Sequence, residues 1–197
     1  MSLPSGYTQL EYIEGSGSQY IDTELACNKY DSWRYSIVAD LANNSNYAGC
    51  NGYLQYQASV GGGVKSDIDI VYQNVIETIS VNGVQKSSQS WAGYSGSNVK
   101  IGILKMGDVN NAWFSGSPQS GKIYSCKIYK SGVLTRDFVP CKNPSGSIGL
   151  YDLVGAQFYQ NSGTGTFIAG AVVNFGGIFV KVNGVWKQID NVTVNVR

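Results

Sequence analysis

Short runs of alternating hydrophobic and polar residues recur along most of the chain. Examples are "YTQLEYI" (7–13), "QYIDTEL" (19–25), "WRYSIVADL" (33–41), "DIDIVY" (67–72), "VIETISV" (75–81), "VKIGIL" (99–104), "KIYSCKIY" (122–129), "VLTRDFVP" (133–140) and "TFIAG" (166–170). A period of two places alternate side chains on opposite faces of a strand. No long segment has apolar residues at i, i+3, i+4 and i+7, so the pattern predicts no helices. Gly, Ser and Asn separate the runs, and many short strands punctuated in this way predict a β-sandwich or barrel. The phrase V-N-G-V-x-K occurs twice, in "ISVNGVQK" (79–86) and in "VKVNGVWK" (180–187). Asn-Gly favours a type I′ turn, whose two central residues both need positive φ, so each copy predicts a hairpin. The surroundings of the two copies differ. Residues 171–177 form an apolar, Gly-rich joint, and the last twenty residues are too few to bury a core of their own. The sequence therefore divides into a main domain over 1–170 and a C-terminal hairpin tail or connector over 171–197.

Composition narrows the picture. Of 197 residues, 43% are hydrophobic, enough for a sizeable core. Only 14% are charged and the formal net charge is +1, so no strong field draws in nucleic acid or an anionic membrane. Lys122–Lys142 collects five basic residues against one Asp. Spread along alternating strands, these read as a solvated face rather than a nucleic-acid surface. No apolar run approaches a membrane span, and no basic-then-apolar signal peptide opens the sequence. Cys27, Cys50, Cys126 and Cys141 lack C-x-x-C spacing. The expectation is four free thiols in a protein assembled in a reducing cytoplasm, with Cys126 buried in its strand.

The chain contains no His, which removes Ser-His-Asp and Cys-His catalysis and His-ligated metal sites. "GSGSQ" and "SVGGGV" do not lie between a strand and a helix, so they do not read as phosphate cradles. A glycosidase needs two carboxylates facing one cleft. Asp67 and Asp69 share a strand face, but their expected role is an exposed face or a loop anchor. Oxygen ligands for Ca²⁺ exist, yet no dense D-x-D-x-D loop does, so no cofactor or metal is assigned.

Aromatics in polar loops carry the better signal. Tyr47 and Tyr53 lie in "NNSNYAGCNGYLQY", Trp91 and Tyr94 in "SQSWAGYSGS", and Trp113 and Phe114 in "GDVNNAWFSGSPQ". A sugar ring stacks its C–H face on such rings while Asn and Gln bond its hydroxyls. The expected carbohydrate contacts are Trp91, Tyr94, Asn110, Asn111, Trp113 and Phe114.

"LPSGYTQLEYIEGSGSQYIDTEL" (3–25) and "GKIYSCKIYKSGVLTRDFVPCKNPSGSIGLYDLVGAQFYQNSGTGTFIAG" (121–170) resemble the opening and closing halves of LamG-like, concanavalin A-like domains of phage and prophage tail structural proteins of gut Firmicutes. The middle resembles that family by pattern, and "VKVNGVWKQIDNVTVNVR" is similar to short modules repeated at the ends of phage tail proteins. The resemblance implies an all-β jelly-roll sandwich of two antiparallel sheets plus a C-terminal hairpin. It also implies a non-enzymatic module of the virion tail. The partners would be a host-surface glycan and other tail subunits, with a homo-oligomer formed through 171–197. A purely structural assembly domain and a glycosidase stay open as alternatives.

Overall fold

The computed structural model describes residues 2–28, 30–41, 46–50, 54–57, 64–92, 99–107, 114–115, 118–173, 178–182 and 185–189; for 46–50, 54–57, 107, 114–115, 178–182 and 185–189 it gives the backbone alone. The strands in chain order begin with β1 (Thr8–Gln9), β2 (Ile13–Ser16), β3 (Ile21–Cys27), β4 (Trp33–Leu41), β5 (Asn46–Cys50) and β6 (Leu54–Gln57). Next come β7 (Ser66–Gln73), β8 (Ile76–Val81), β9 (Val84–Ser90), β10 (Val99–Ile103), β11 (Met106–Gly107) and β12 (Phe114–Ser115). The series ends with β13 (Ser120–Lys130), β14 (Val133–Lys142), β15 (Ile148–Asp152), β16 (Gln157–Gln160), β17 (Ile168–Ala169), β18 (Ile178–Val182) and β19 (Val185–Ile189). No described residue is helical.

The protein is an all-β sandwich. The larger sheet runs β16-β15-β14-β13-β4-β7-β8-β9, with β1 on β14, β2 on β13 and β17 on β2. The smaller runs β12-β11-β5-β10-β3, with β6 on β5. Pairing is antiparallel except for a parallel bridge between Gly107 and Cys50. β18 and β19 pair with each other as a separate hairpin, the predicted C-terminal extension. Hydrogen bonding to the sandwich continues past Gly170, since Ala171 O accepts from Glu11 N and Val173 N donates to Gln9 O.

The core follows from alternation. β4 buries Trp33, Tyr35, Ile37, Ala39 and Leu41 and turns Arg34, Ser36, Val38 and Asp40 outward. β7 buries Ile68, Ile70 and Tyr72. From the smaller sheet Ile21, Ile101 and Ile103 meet them in one cluster, each such side chain contributing roughly 1.5–3 kcal/mol on burial. In β13 the buried apolar side chains are Ile123, Cys126 and Ile128, a spacing of three and then two. The pairing with β4 slips between Ile123 and Ser125, so Tyr124 is the extra residue of a bulge and the inward set stays in phase. Tyr35 Oη donates to Gly102 O at 3.2 Å and Thr23 Oγ1 to Ile101 O at 2.6 Å. The first of these bonds ties the two sheets together.

Asn82 and Gly83 both have positive φ, as the Asn-Gly turn requires. The β7–β8 turn uses Asn74 and Val75, also both at positive φ. A β-branched residue is strained there. Val75→Gly is expected to raise stability by about 1 kcal/mol, a gain of about 2–4 °C in Tm by scanning calorimetry.

Cys126 and Cys141 are buried free thiols, but Cys27 is disulfide-bonded. This corrects the expectation of four free thiols: distance along the sequence says nothing about which sulfurs the sheets bring together. Burial pushes both free thiols up to about 12. The stability gained from keeping them neutral is full below the unfolded thiol's pKa of about 8.5 and is lost as pH rises from there toward about 12. Iodoacetamide at pH 8 is expected to spare Cys126 and Cys141 in the native protein and to modify both in urea. Cys27 should react only after reduction, all three read by mass spectrometry.

Candidate functional site

One end of the larger sheet carries a built cleft. The β13–β14 connection is a two-residue turn, since Lys130 pairs with Val133, and Ser131 and Gly132 both take positive φ. Ser131 N donates to Ser32 O at 2.8 Å, which fastens this turn to the segment entering β4. That segment is shaped by Asn28, whose Oδ1 accepts from Tyr30 N at 2.9 Å and Asp31 N at 3.1 Å, an Asx-type turn. Asp31 receives Lys130 Nζ at 2.8 Å, and this hydrogen bond holds its carboxyl below the ordinary range.

Outward residues of three neighbouring strands complete the cleft. Arg34 of β4 stands opposite Val71 of β7 and Tyr129 of β13. Its Nε donates to Asp69 Oδ1 at 2.7 Å, and its guanidinium lies 5.5 Å from the Tyr129 ring centroid. The cleft holds about 450 Å³ and is lined by Ser32, Trp33, Arg34, Val71, Tyr72, Gln73, Tyr129, Ser131 and Gly132. Trp33 is 3% exposed. Its Nε1 is, among the described residues, the one buried side-chain nitrogen or oxygen without a hydrogen-bond partner. Lys130 Nζ lies 5.3 Å over the Trp33 ring. Exposed Tyr30 and Val133 belong to the two segments that frame this end.

A second cleft of about 520 Å³ is lined by Ser147, Ile148, Gln160, Asn161, Thr166 and Phe167 among others. Its Asn161 is committed to the loop: Nδ2 donates to Gly165 O at 2.9 Å and Oδ1 accepts from Gly163 N at 2.8 Å. That amide closes the loop rather than facing a ligand.

Of the residues expected from sequence to contact carbohydrate, the structure describes Trp91 and the backbone of Phe114. Trp91 is half-buried against the core, its backbone N–H donates to Val75 O at 2.8 Å, and its Nε1 donates to Glu77 Oε2 at 2.9 Å. Phe114 is described as backbone only, in β12 opposite Gly107. Tyr94, Asn110, Asn111 and Trp113 lie outside the described residues, as does Tyr53, while Tyr47 is described as backbone only. Asp67 and Asp69 sit on the outward face of β7. There Asp69 serves Arg34, and Asp67 N donates to Asn82 Oδ1 at 2.9 Å. Among the described residues no group of three or more His, Cys, Asp or Glu is placed to hold a metal ion. No described helix is long and apolar enough to cross a membrane.

Sequence reading passed over Trp33, Arg34, Gln73 and Tyr129 because all four lie in or at the end of strands. The one usable signal was Tyr30 in the polar "NKYDSW" segment. No protein-family model, curated protein or solved structure matches this chain.

Proposed function

We propose that the chain is a non-catalytic carbohydrate-binding domain of a phage or prophage tail protein, carried on the virion and directed at a host-surface glycan. The observation that carries the binding reading is the cleft at the β4 end. It sets the Tyr129 ring beside neutral hydrogen-bonding side chains, Ser32, Gln73 and Ser131. A saccharide needs both, a ring face for its C–H groups and polar groups for its hydroxyls. The carboxylates next to the cleft favour binding over hydrolysis, since Asp69 is engaged by Arg34 and Asp31 by Lys130. The tail context and the concanavalin A-like jelly-roll reading rest on the resemblance of residues 3–25 and 121–170. An open cleft of this kind binds weakly alone, and several copies on one virion compensate through effective concentration. The test is a broad glycan array and host cell-wall fragments, probed with a multivalent form of the full chain. Saturable binding that Tyr129→Ala weakens supports the reading; a silent array and silent cell walls sink it.

A second reading, an assembly domain, is favoured by the β18–β19 hairpin, whose strands pair with each other and with no other described strand. Under it, ending the chain after Val173 abolishes oligomers in light scattering. Under the first reading, the same truncation leaves the affinity of each cleft unchanged.

A further inference from the structure

We propose that the outward face of the β4-end cleft reads a pair of adjacent free hydroxyls on a neutral sugar through the Arg34–Asp69 ion pair; this rests on the carbohydrate-binding reading above. Tyr129, Arg34 and Val71 stand directly opposite one another on three neighbouring strands, and all three line the cleft. Strands lie about 4.8 Å apart, so this outward row spans roughly 10 Å, the reach of a disaccharide. Asp69 lies one outward position along β7 from Val71. Its Oδ1 takes the Arg34 Nε–H. Among the described residues, its Oδ2 and both Arg34 Nη groups have no hydrogen-bond partner. Both side chains reach solvent, at 52% for Arg34 and 32% for Asp69. The pair thus presents an acceptor beside donors and is neutral as a unit. A hydroxyl both donates and accepts. Two on neighbouring carbons meet the pair together, one giving its proton to Asp69 Oδ2 and the other taking an N–H from Arg34. Bonds to charged partners of this kind are stronger than neutral ones. A carboxylate or phosphate brings acceptors alone and meets Asp69 as a like charge, which selects against acidic sugars. The Tyr129 ring, at the other end of the row, takes the sugar's C–H groups.

The experiment is calorimetric titration of the full chain with dextran, with galactomannan, with the O-methyl ether of each, and with polygalacturonate. Dextran and galactomannan are neutral and between them present adjacent hydroxyls in the gluco, manno and galacto configurations. O-methylation keeps the rings, the neutrality and the acceptor oxygens and removes only the protons. At least one native neutral polymer is expected to bind, about tenfold or more tightly than its methyl ether, because a site built to bond a hydroxyl rejects the analogue that leaves it unpaired. Polygalacturonate is expected to stay silent. Asp69→Asn and Arg34→Lys are each expected to weaken the neutral polymer about tenfold, and the double variant no further, since the two groups act as one reader. Melting temperatures should hold, because an exposed ion pair adds little stability. A methyl ether that binds as tightly as its parent overturns the inference. So does polygalacturonate binding at the strength of the neutral polymer, or full affinity in either single variant. These results leave the carbohydrate reading standing, since saccharides still bind. Silence of both neutral polymers overturns the inference as well, and the wider glycan array then decides the broader reading. Should a variant not fold, the matched polymers on the wild type still decide.

Discussion

Replacing Asp152 with Ala is expected to lower the free energy of unfolding by about 4 kcal/mol, the range for breaking a buried ion pair by removing one partner. Asp152 ends β15 with its side chain 0% exposed. Its Oδ1 accepts from Asp137 N at 2.8 Å and Val154 N at 3.0 Å, and its Oδ2 from Gly155 N at 2.9 Å. Arg136 Nε lies 3.6 Å from Oδ2, on a side chain only 17% exposed. One carboxylate thus closes the β15–β16 turn, ties it back to β14 and neutralises an arginine held between the sheets. Alanine strands three backbone donors and leaves that guanidinium with the Thr23 and Thr135 carbonyls and the face of the Tyr159 ring. Asp152→Asn keeps one acceptor oxygen and is expected to lose about half as much. Urea titration with an unchanged m value measures both. A loss under about 1 kcal/mol for Asp152→Ala would show that the turn is held by its backbone alone. The damage would spread toward the cleft, because β14 is continuous with the Ser131–Gly132 turn that frames it.

The strands were legible because their faces are unequal. "WRYSIVADL" alternates so strictly that its five inward residues can be read off the sequence, and the Asn82–Gly83 turn follows from the φ its type demands. Three features were not legible, each for a physical reason. The bulge at Tyr124 is a property of the pairing between β13 and β4, which are far apart in sequence. The disulfide at Cys27 depends on which sulfurs the fold brings together, which spacing along the chain does not give. The cleft joins Arg34, Val71 and Tyr129 only because β4 lies between β13 and β7, an order that the chain sequence does not contain. The rule that sought rings in polar loops led to Trp91, and a cleft built from the outward faces of strand ends lies beyond its reach.

Glu77 explains why Trp91 is not a free platform, and it supplies the second large effect. In "VIETISV" the inward residues Ile79 and Val81 extrapolate to position 77, so alternation alone points this carboxylate into the sandwich and leaves Ile76 outside. Glu77 is 0% exposed and Ile76 is 42% exposed. Glu77 Oε2 accepts from Gln89 Nε2 at 2.5 Å and from Trp91 Nε1 at 2.9 Å, which locks the end of β9 and the following indole onto β8. Glu77→Ala removes the acceptor that Gln89 Nε2 and Trp91 Nε1 share and opens a cavity where Glu77 was buried, a combined cost of about 3 kcal/mol. Glu77→Gln keeps the shape and an acceptor oxygen and is expected to cost about 1 kcal/mol. Chemical denaturation gives the energies. Acrylamide quenching of tryptophan fluorescence gives the structural half, since freeing the Trp91 ring raises its access to quencher in Glu77→Ala and not in Glu77→Gln. If Glu77→Ala also left saccharide affinity intact, Trp91 would be a structural residue and the ligand would belong to the cleft at Arg34 and Tyr129. If affinity fell with the anchoring of Trp91, the rim that this ring occupies would belong to the binding surface after all.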